Sequence, residues 1–122
     1  MLLDIIQNLC NNILKIDSKI RFVGIWYQNE LIHESREGLE ALLDKEKTYS
    51  SVKNAVIRWK ARKKLGKLLG EPEFALAKYG KVYRITIQLT DTDLILVSTD
   101  IDCDIFSVLS EIQRLKEFLR IY

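Results

Sequence analysis

The stretch Ile20–Tyr27, with the sequence IRFVGIWY, decides the fold of this chain. It is rich in β-branched and aromatic residues, which favour strands. Side chains alternate between the two faces of a strand, and both sets are apolar here, with Phe22 and Trp26 on one face and Val23, Ile25 and Tyr27 on the other. The run Leu94–Val97 is also apolar throughout. Because such strands must be covered on both sides, the sequence predicts a sheet between helices.

Further strands and helices are predicted before and after these two strands along the chain. They are a helix over residues 4–16, strands 20–27 and 31–35, a helix 49–69, strands 74–79, 82–89 and 94–99, and a helix 104–122. Residues 36–47 are expected to form a loosely packed connection, and Gly70 should end the long helix. The sequence therefore predicts one α/β (α+β) domain over residues 1–122. Its single five-stranded antiparallel sheet carries helices on both faces, in the order αββαβββα.

Helix ends and helix faces carry further expectations. Asp4 and Gln7 fit a capping box for the first helix, and Asp102 or Asp104 is expected to cap the last one. The last helix is expected to bury one apolar stripe, made of Phe106, Leu109, Ile112, Leu115, Leu119 and Tyr122.

Composition limits the class of protein. The chain has 122 residues, 48% of them hydrophobic and 30% charged, with a formal net charge of +2, which excludes a disordered or low-complexity chain. Cys10 and Cys103 follow no metal-binding or disulfide spacing and are expected to be free thiols. The N-terminus does not read as a secretion signal, and no apolar run is long enough for a membrane helix. We therefore expect a cytoplasmic protein.

Positive charge is concentrated on the long helix. Eight basic residues and no acidic one lie between Lys47 and Gly70. At 100° per residue, a cationic ridge forms from Lys53, Lys60, Lys64 and Lys67, with Lys63 beside it. Arg58 and Arg62 lie on another side and are expected to pair with carboxylates of the same domain. The ridge is open to three interpretations, namely a solvated helix face, a site for an acidic protein surface, or a site for phosphate backbones.

The same helix carries two apolar stripes. One consists of Ile57, Ala61, Leu65 and Leu68, and the other of Val52, Ala55, Val56 and Trp59. One stripe can face the sheet, and the second needs another cover. Either residues 39–43 cover Trp59 within the chain, or Val52, Ala55, Val56 and Trp59 form a homodimer interface.

Catalytic and metal-binding patterns are absent from the sequence. Residues 100–104 lack the glycine and the distal glutamate of a calcium loop, and capping is the better interpretation. His33 has no accompanying nucleophile or carboxylate pair, and neither GxxxxGK[ST] nor GxGxxG occurs. The sequence therefore predicts a protein that is not an enzyme, with no catalytic, metal or cofactor-binding residues.

The order αββαβββα resembles the roadblock/LC7 and longin- or profilin-like group. That resemblance implies a small domain that dimerises and often binds small GTPases or serves as an assembly platform. Several short motifs also resemble a family of short uncharacterised thaumarchaeal proteins, namely Ile16–Ile25, Arg36-Glu37-Gly38, Arg58-x-x-x-Arg62-Lys63, Leu69-Gly70 and the strand Leu94–Thr99. This second resemblance implies an archaeal source.

We therefore expect a homodimeric interaction or regulatory module whose basic helix binds an acidic protein partner, such as a small GTPase. The alternative is a nucleic-acid-binding protein that uses the basic helix 53–67. No helix-turn-helix, zinc finger or RNP-type motif supports that alternative, and neither hypothesis requires a membrane.

Overall fold

The fold is a five-stranded antiparallel sheet with helices on both faces, as the sequence predicts. The computed structural model describes residues 2–119. Its elements are α1 (Leu2–Leu14), β1 (Ile20–Tyr27), β2 (Glu30–Ser35), α2 (Lys45–Lys63), the short α3 (Gly66–Leu69), β3 (Phe74–Lys78), β4 (Val82–Gln88), β5 (Leu94–Asp100) and α4 (Ile105–Leu119). The strand order is β2-β1-β5-β4-β3, so β1 and β5 lie at the centre and β2 and β3 form the two edges.

The larger core lies between the sheet and the pair of helices α1 and α4. Val23 and Ile25 of β1 face these helices, together with Ile95 and Val97 of β5, which lie opposite them in the antiparallel register. The helices contribute the remaining buried side chains, namely Ile6, Leu9, Cys10 and Ile13 of α1 and Ile105, Val108, Leu109 and Ile112 of α4. The double-sided apolar pattern of the two central strands is thus satisfied on this face by two helices.

The opposite face of the sheet is covered by α2. Trp26, Leu94 and Leu96 point to this side and pack with Val52, Ala55 and Trp59 of the helix. A single helix covers less of the sheet than two helices do, so part of this face stays open beside α2.

Two helix starts differ from the prediction. Helix α1 begins at Leu2, so Asp4 lies inside its first turn, and the side-chain amide of Gln7 donates to Glu34 Oε1 at 3.0 Å instead of closing a capping box. Helix α2 begins at Lys45, inside the predicted connection 36–47, because the carboxylate of Asp44 accepts the N–H of Lys47 at 2.7 Å. Asp44 is thus an N-cap residue, and its carboxylate accepts one of the backbone N–H groups that have no partner in the first turn of the helix.

The long helix is also interrupted. Its α-helical hydrogen bonding stops at Lys63, and Leu65 donates its N–H to Arg62 O at 3.1 Å, three residues back, before α3 begins. The expected stop at Gly70 is confirmed, since Gly70 caps α3 with φ of 94°, a conformation that favours glycine.

In α4, the buried stripe differs from the predicted one at its first member. Phe106 is 66% exposed, whereas its neighbour Ile105 is buried. Leu109 and Ile112 are buried as expected, and Leu115 and Leu119 pack against the same core. Tyr122, the last member of the predicted stripe, lies outside the described residues.

Arg36 ties the end of α1 to the sheet. Its guanidinium donates to three backbone carbonyl oxygens, those of Leu14, Asp17 and Ile20. The carbonyl of Leu14 is at the end of α1, where helix carbonyls lack a partner within the helix, and the arginine supplies a donor to it.

Both cysteines are buried free thiols, as predicted. The thiol of Cys10 lies 3.3 Å from the carbonyl oxygen of Val23, to which it donates, and burial raises its pKa to about 12. A thiol with such a pKa stays protonated at neutral pH and is a poor nucleophile or metal ligand. Among residues 2–119, each helix is either too short or too polar to span a bilayer.

Candidate interaction surface

Helix α2 is held on the sheet by the stripe that contains Trp59. Val52, Ala55 and Trp59 are 0%, 4% and 2% exposed, and Val56 packs beside them at the edge of the same cluster. The indole N–H of Trp59 donates to Gln88 Oε1 on β4 at 3.3 Å, which satisfies its only polar atom. The stripe is therefore buried within one chain.

This placement reverses the predicted roles of the two apolar stripes. The sequence pattern assigns Val52, Ala55, Val56 and Trp59 to a dimer interface. In the structure these side chains pack against the sheet of the same chain. The alternative cover by residues 39–43 is also wrong, because Leu39, Leu42 and Leu43 are 42%, 52% and 40% exposed. The two stripes are similarly apolar in the sequence. Which of them is buried depends on the apolar surface that Trp26, Leu94 and Leu96 form on the sheet.

The stripe left on the outside is apolar and exposed. Ile57, Leu65 and Leu68 are 63%, 51% and 84% exposed, and Ala61 lies between them along the helix. We call Ile57, Ala61, Leu65 and Leu68 the outer apolar face. Ile57 and Ala61 lie on α2, and Leu65 and Leu68 lie at the start of α3 and within it. A group of exposed large apolar side chains is typical of a protein interaction site.

The sheet has an open edge at β3. Strand β3 pairs with β4 on one side only, and within residues 2–119 no strand pairs with its other side. Most of its residues are exposed. Unpaired N–H and C=O groups on an edge strand are a ready template for pairing with another chain.

Four lysines remain on the solvent side of α2 and α3, as the sequence predicts. Lys53, Lys60, Lys64 and Lys67 are all exposed, and the Lys53 ammonium lies 5.6 Å from the centre of the Tyr49 ring. Lys63 does not belong with them. It turns toward the β4–β5 connection, where it donates to Asp91 O at 2.8 Å and lies 4.0 Å from the Asp91 carboxylate. We call Lys53, Lys60, Lys64 and Lys67 the lysine ridge.

The two arginines of α2 differ from expectation in their partners. The sequence predicts that Arg58 and Arg62 pair with carboxylates of the same domain, but neither forms an ion pair with any residue in the described part of the chain. Both line a cleft between α2 and the sheet, together with Arg84 of β4. The sequence alone does not predict that Arg84 joins Arg58 and Arg62 in this cleft, because the position of β4 beside α2 depends on the strand order.

The aspartates at residues 100–104 have structural roles. The carboxylate of Asp104 accepts the N–H of Ser107 at 3.3 Å and caps α4, as predicted, while Asp100 binds Arg21 at 2.8 Å. Asp102 binds Lys19 at 2.6 Å, and this exposed hydrogen bond lowers the pKa of the Asp102 carboxyl. No group of three metal-ligating side chains comes together among residues 2–119.

His33 is exposed on the edge strand β2, as expected. Its ring stacks on Phe22 with the ring centres 5.7 Å apart. The contact is a packing contact between two rings on neighbouring strands.

Comparison with known proteins shows the fold. No family model matches the chain, and no curated protein matches it. Solved structures do match. A roadblock/LC7 domain from Streptomyces avermitilis superposes with a TM-score of 0.74 at 10% identity, over 95% of each chain. Myxococcus xanthus MglB superposes with a TM-score of 0.70 at 18% identity, over 93% of this chain and 90% of that one. The gliding protein MglB from Thermus thermophilus gives 0.69 at 13% identity, over 90% and 82%. The chain thus has the roadblock/LC7-like fold that the element order indicated.

Proposed function

We propose that this protein is a non-enzymatic interaction module that forms a homodimer and binds an acidic protein partner, such as a small GTPase. The proposal is carried by two exposed features of the chain, the outer apolar face and the open edge of β3. Neither feature helps to stabilise a single chain, and both supply what an interface between chains requires.

The lysine ridge supports the second half of the proposal. Its four ammonium groups lie on exposed side chains, and none forms an ion pair with a described residue. Lysines in that state retain their charge for an outside partner, and a field of one sign steers an acidic surface toward it. The fold is consistent with this role, since the roadblock/LC7 resemblance implies proteins that dimerise and bind small GTPases.

No observation favours the nucleic-acid alternative. Single-stranded nucleic acid is usually bound by several exposed aromatic side chains on which successive bases stack. Tyr49, beside Lys53, is one exposed ring, but the two tryptophans are 6% and 2% exposed. Both are buried in the core below α2, where they cannot stack on a base.

The partner half is tested by charge reversal. We expect Lys60→Glu, Lys64→Glu and Lys67→Glu together to abolish the retention of partner proteins on the immobilised protein, because an acidic surface would then meet like charge. The matched control is Lys15→Glu, Lys45→Glu and Lys47→Glu, which changes three exposed lysines outside the lysine ridge and outside the β3 edge and gives the same net charge.

The control variant should retain the partners of the native protein. If the two triple variants retain the same set of proteins as the native chain, the lysine ridge has no role in recognition and this half of the proposal is wrong.

A further inference from the structure

A small cleft lies between α2 and the β3 half of the sheet. It has a volume of about 70 Å³, and its polar lining consists of Arg58, Arg62, Tyr79, Arg84, Thr86 and Ser98. The cleft exists because the inner positions of β3 carry alanines, which leave a gap below the helix that larger side chains would fill. Arginines and hydroxyl groups thus surround one concave space.

The charge of the cleft is one-sided. Three arginines are among the residues that line it, and no aspartate or glutamate of the described chain is. Arg58 and Arg62 form no ion pair with any residue of the described chain, and the half-buried Arg84 donates to the neutral Ser51 Oγ at 3.0 Å. Like charges gathered without a counter-charge repel one another, so an anion bound among them would relieve an unfavourable arrangement.

We propose that this cleft binds the phosphoryl group of a phosphate monoester. A phosphate dianion matches several guanidinium charges better than a carboxylate does, and the planar forks of arginine bind phosphate oxygens in pairs. The hydroxyl groups of Thr86, Ser98 and Tyr79 are additional donors at the same place.

The size of the cleft limits what enters it. Pockets that enclose a whole drug-sized ligand measure about 300–1,000 Å³, and this one measures about 70 Å³. Only the phosphoryl group fits inside, so the rest of the ligand lies outside the mouth. The phosphoryl group can belong to a free small molecule or to a phosphorylated side chain of another protein, and the experiment distinguishes the two.

This inference does not depend on the proposed partner site. At 100° per residue, Arg58 and Arg62 lie on one side of Trp59, while Lys53 and Lys60 lie on the other. Loss of the arginines and loss of the lysine ridge are therefore separable by mutation.

The test is a titration followed by NMR chemical shifts of the backbone amides, at constant ionic strength. The probes are inorganic phosphate, phenyl phosphate, and a phosphoserine peptide with its unphosphorylated counterpart. We expect saturable binding of the phosphorylated probes, with shifts concentrated at Thr86 and Ser98. Stronger binding of the peptide than of phenyl phosphate would identify a phosphorylated partner as the source, and equal or weaker binding would identify a small molecule; both results support the site.

Two double variants that each remove two positive charges from α2 make the test specific. Arg58→Gln with Arg62→Gln should weaken phenyl phosphate binding at least about tenfold, because two charged hydrogen-bonding groups are lost. Lys60→Gln with Lys64→Gln should change it less than about twofold, as expected of screened charges outside the site. All four residues are exposed, so both variants should fold.

Equal weakening in the two variants would show only general attraction to a basic helix and would overturn the proposal. So would shifts centred on Lys60 and Lys64, or the absence of saturable binding of every phosphorylated probe to the native protein.

Discussion

At the scale of single residues, Asp93 joins two turns of the sheet. It is only 5% exposed, and its carboxylate accepts the backbone N–H of Gln28 at 3.0 Å and the hydroxyl of Thr90 at 2.7 Å. Gln28 and Asn29 form the β1–β2 turn with positive φ values of 50° and 65°, and Thr90 lies in the β4–β5 turn. A buried carboxylate with these donors fixes both turns at the same end of the sheet.

Replacing this carboxylate tests that role. We expect Asp93→Ala to lower the free energy of unfolding by about 2–3 kcal/mol, because it leaves the Gln28 N–H without its charged acceptor. Urea denaturation measures the change. Asp91→Ala is the matched control two residues away, since its side chain is 96% exposed, and it should stay within about 0.5 kcal/mol of the native protein. Equal effects of the two substitutions would contradict the role of Asp93.

At the scale of elements, the orientation of α2 is the feature that sequence patterns decide least. Two stripes on one helix make it apolar on opposite sides, and local periodicity cannot tell which one is buried. The orientation of α2 is set by its packing on the sheet, where Trp59 covers the surface formed by Trp26, Leu94 and Leu96.

A pair of alanine substitutions tests this orientation. Trp59→Ala should cost about 3–5 kcal/mol of stability, the usual effect of removing a large buried aromatic side chain. Ile57→Ala, two residues earlier on the exposed side, should cost less than about 1 kcal/mol. Denaturation at protein concentrations low enough for a single chain gives both values. A larger loss from Ile57→Ala than from Trp59→Ala would mean that the helix is turned the other way.

Strands are more predictable than helix ends in this chain. The bounds of β1 match the prediction because alternation of side chains reports directly on burial at each position. At the start of α4, by contrast, Ile105 and Phe106 are adjacent apolar residues that point about 100° apart, and local periodicity does not decide which of them is buried. The first turn of α2 escapes prediction because its residues, from Lys45 onward, are polar and its capping signal at Asp44 is a single side chain.

At the scale of the whole molecule, the element order was predictable and the strand order was not. The pattern αββαβββα follows from local signals, but nothing local states that β1 pairs with β5 or that β3 is an edge. The two candidate sites differ in whether they depend on the strand order. The lysine ridge follows from spacing on one helix, whereas the cleft needs Arg84 of β4 beside α2.

The central claim is that the outer apolar face and the β3 edge are an interface between two copies of this chain, and the mass in solution tests it most directly. Sedimentation equilibrium should give twice the 14.2 kDa of one chain for the native protein, at low and at high salt, because apolar contacts and strand pairing are not screened.

Ile57→Glu with Leu68→Glu should reduce that mass to one chain, because the two substitutions place charges on the outer apolar face. The control, Leu3→Glu, introduces a charge at a site that is 55% exposed on α1, which packs against β1 and β2 away from the β3 edge, and should keep the dimer. A native protein with the mass of a single chain at every concentration, or a double variant that remains dimeric, would contradict the claim.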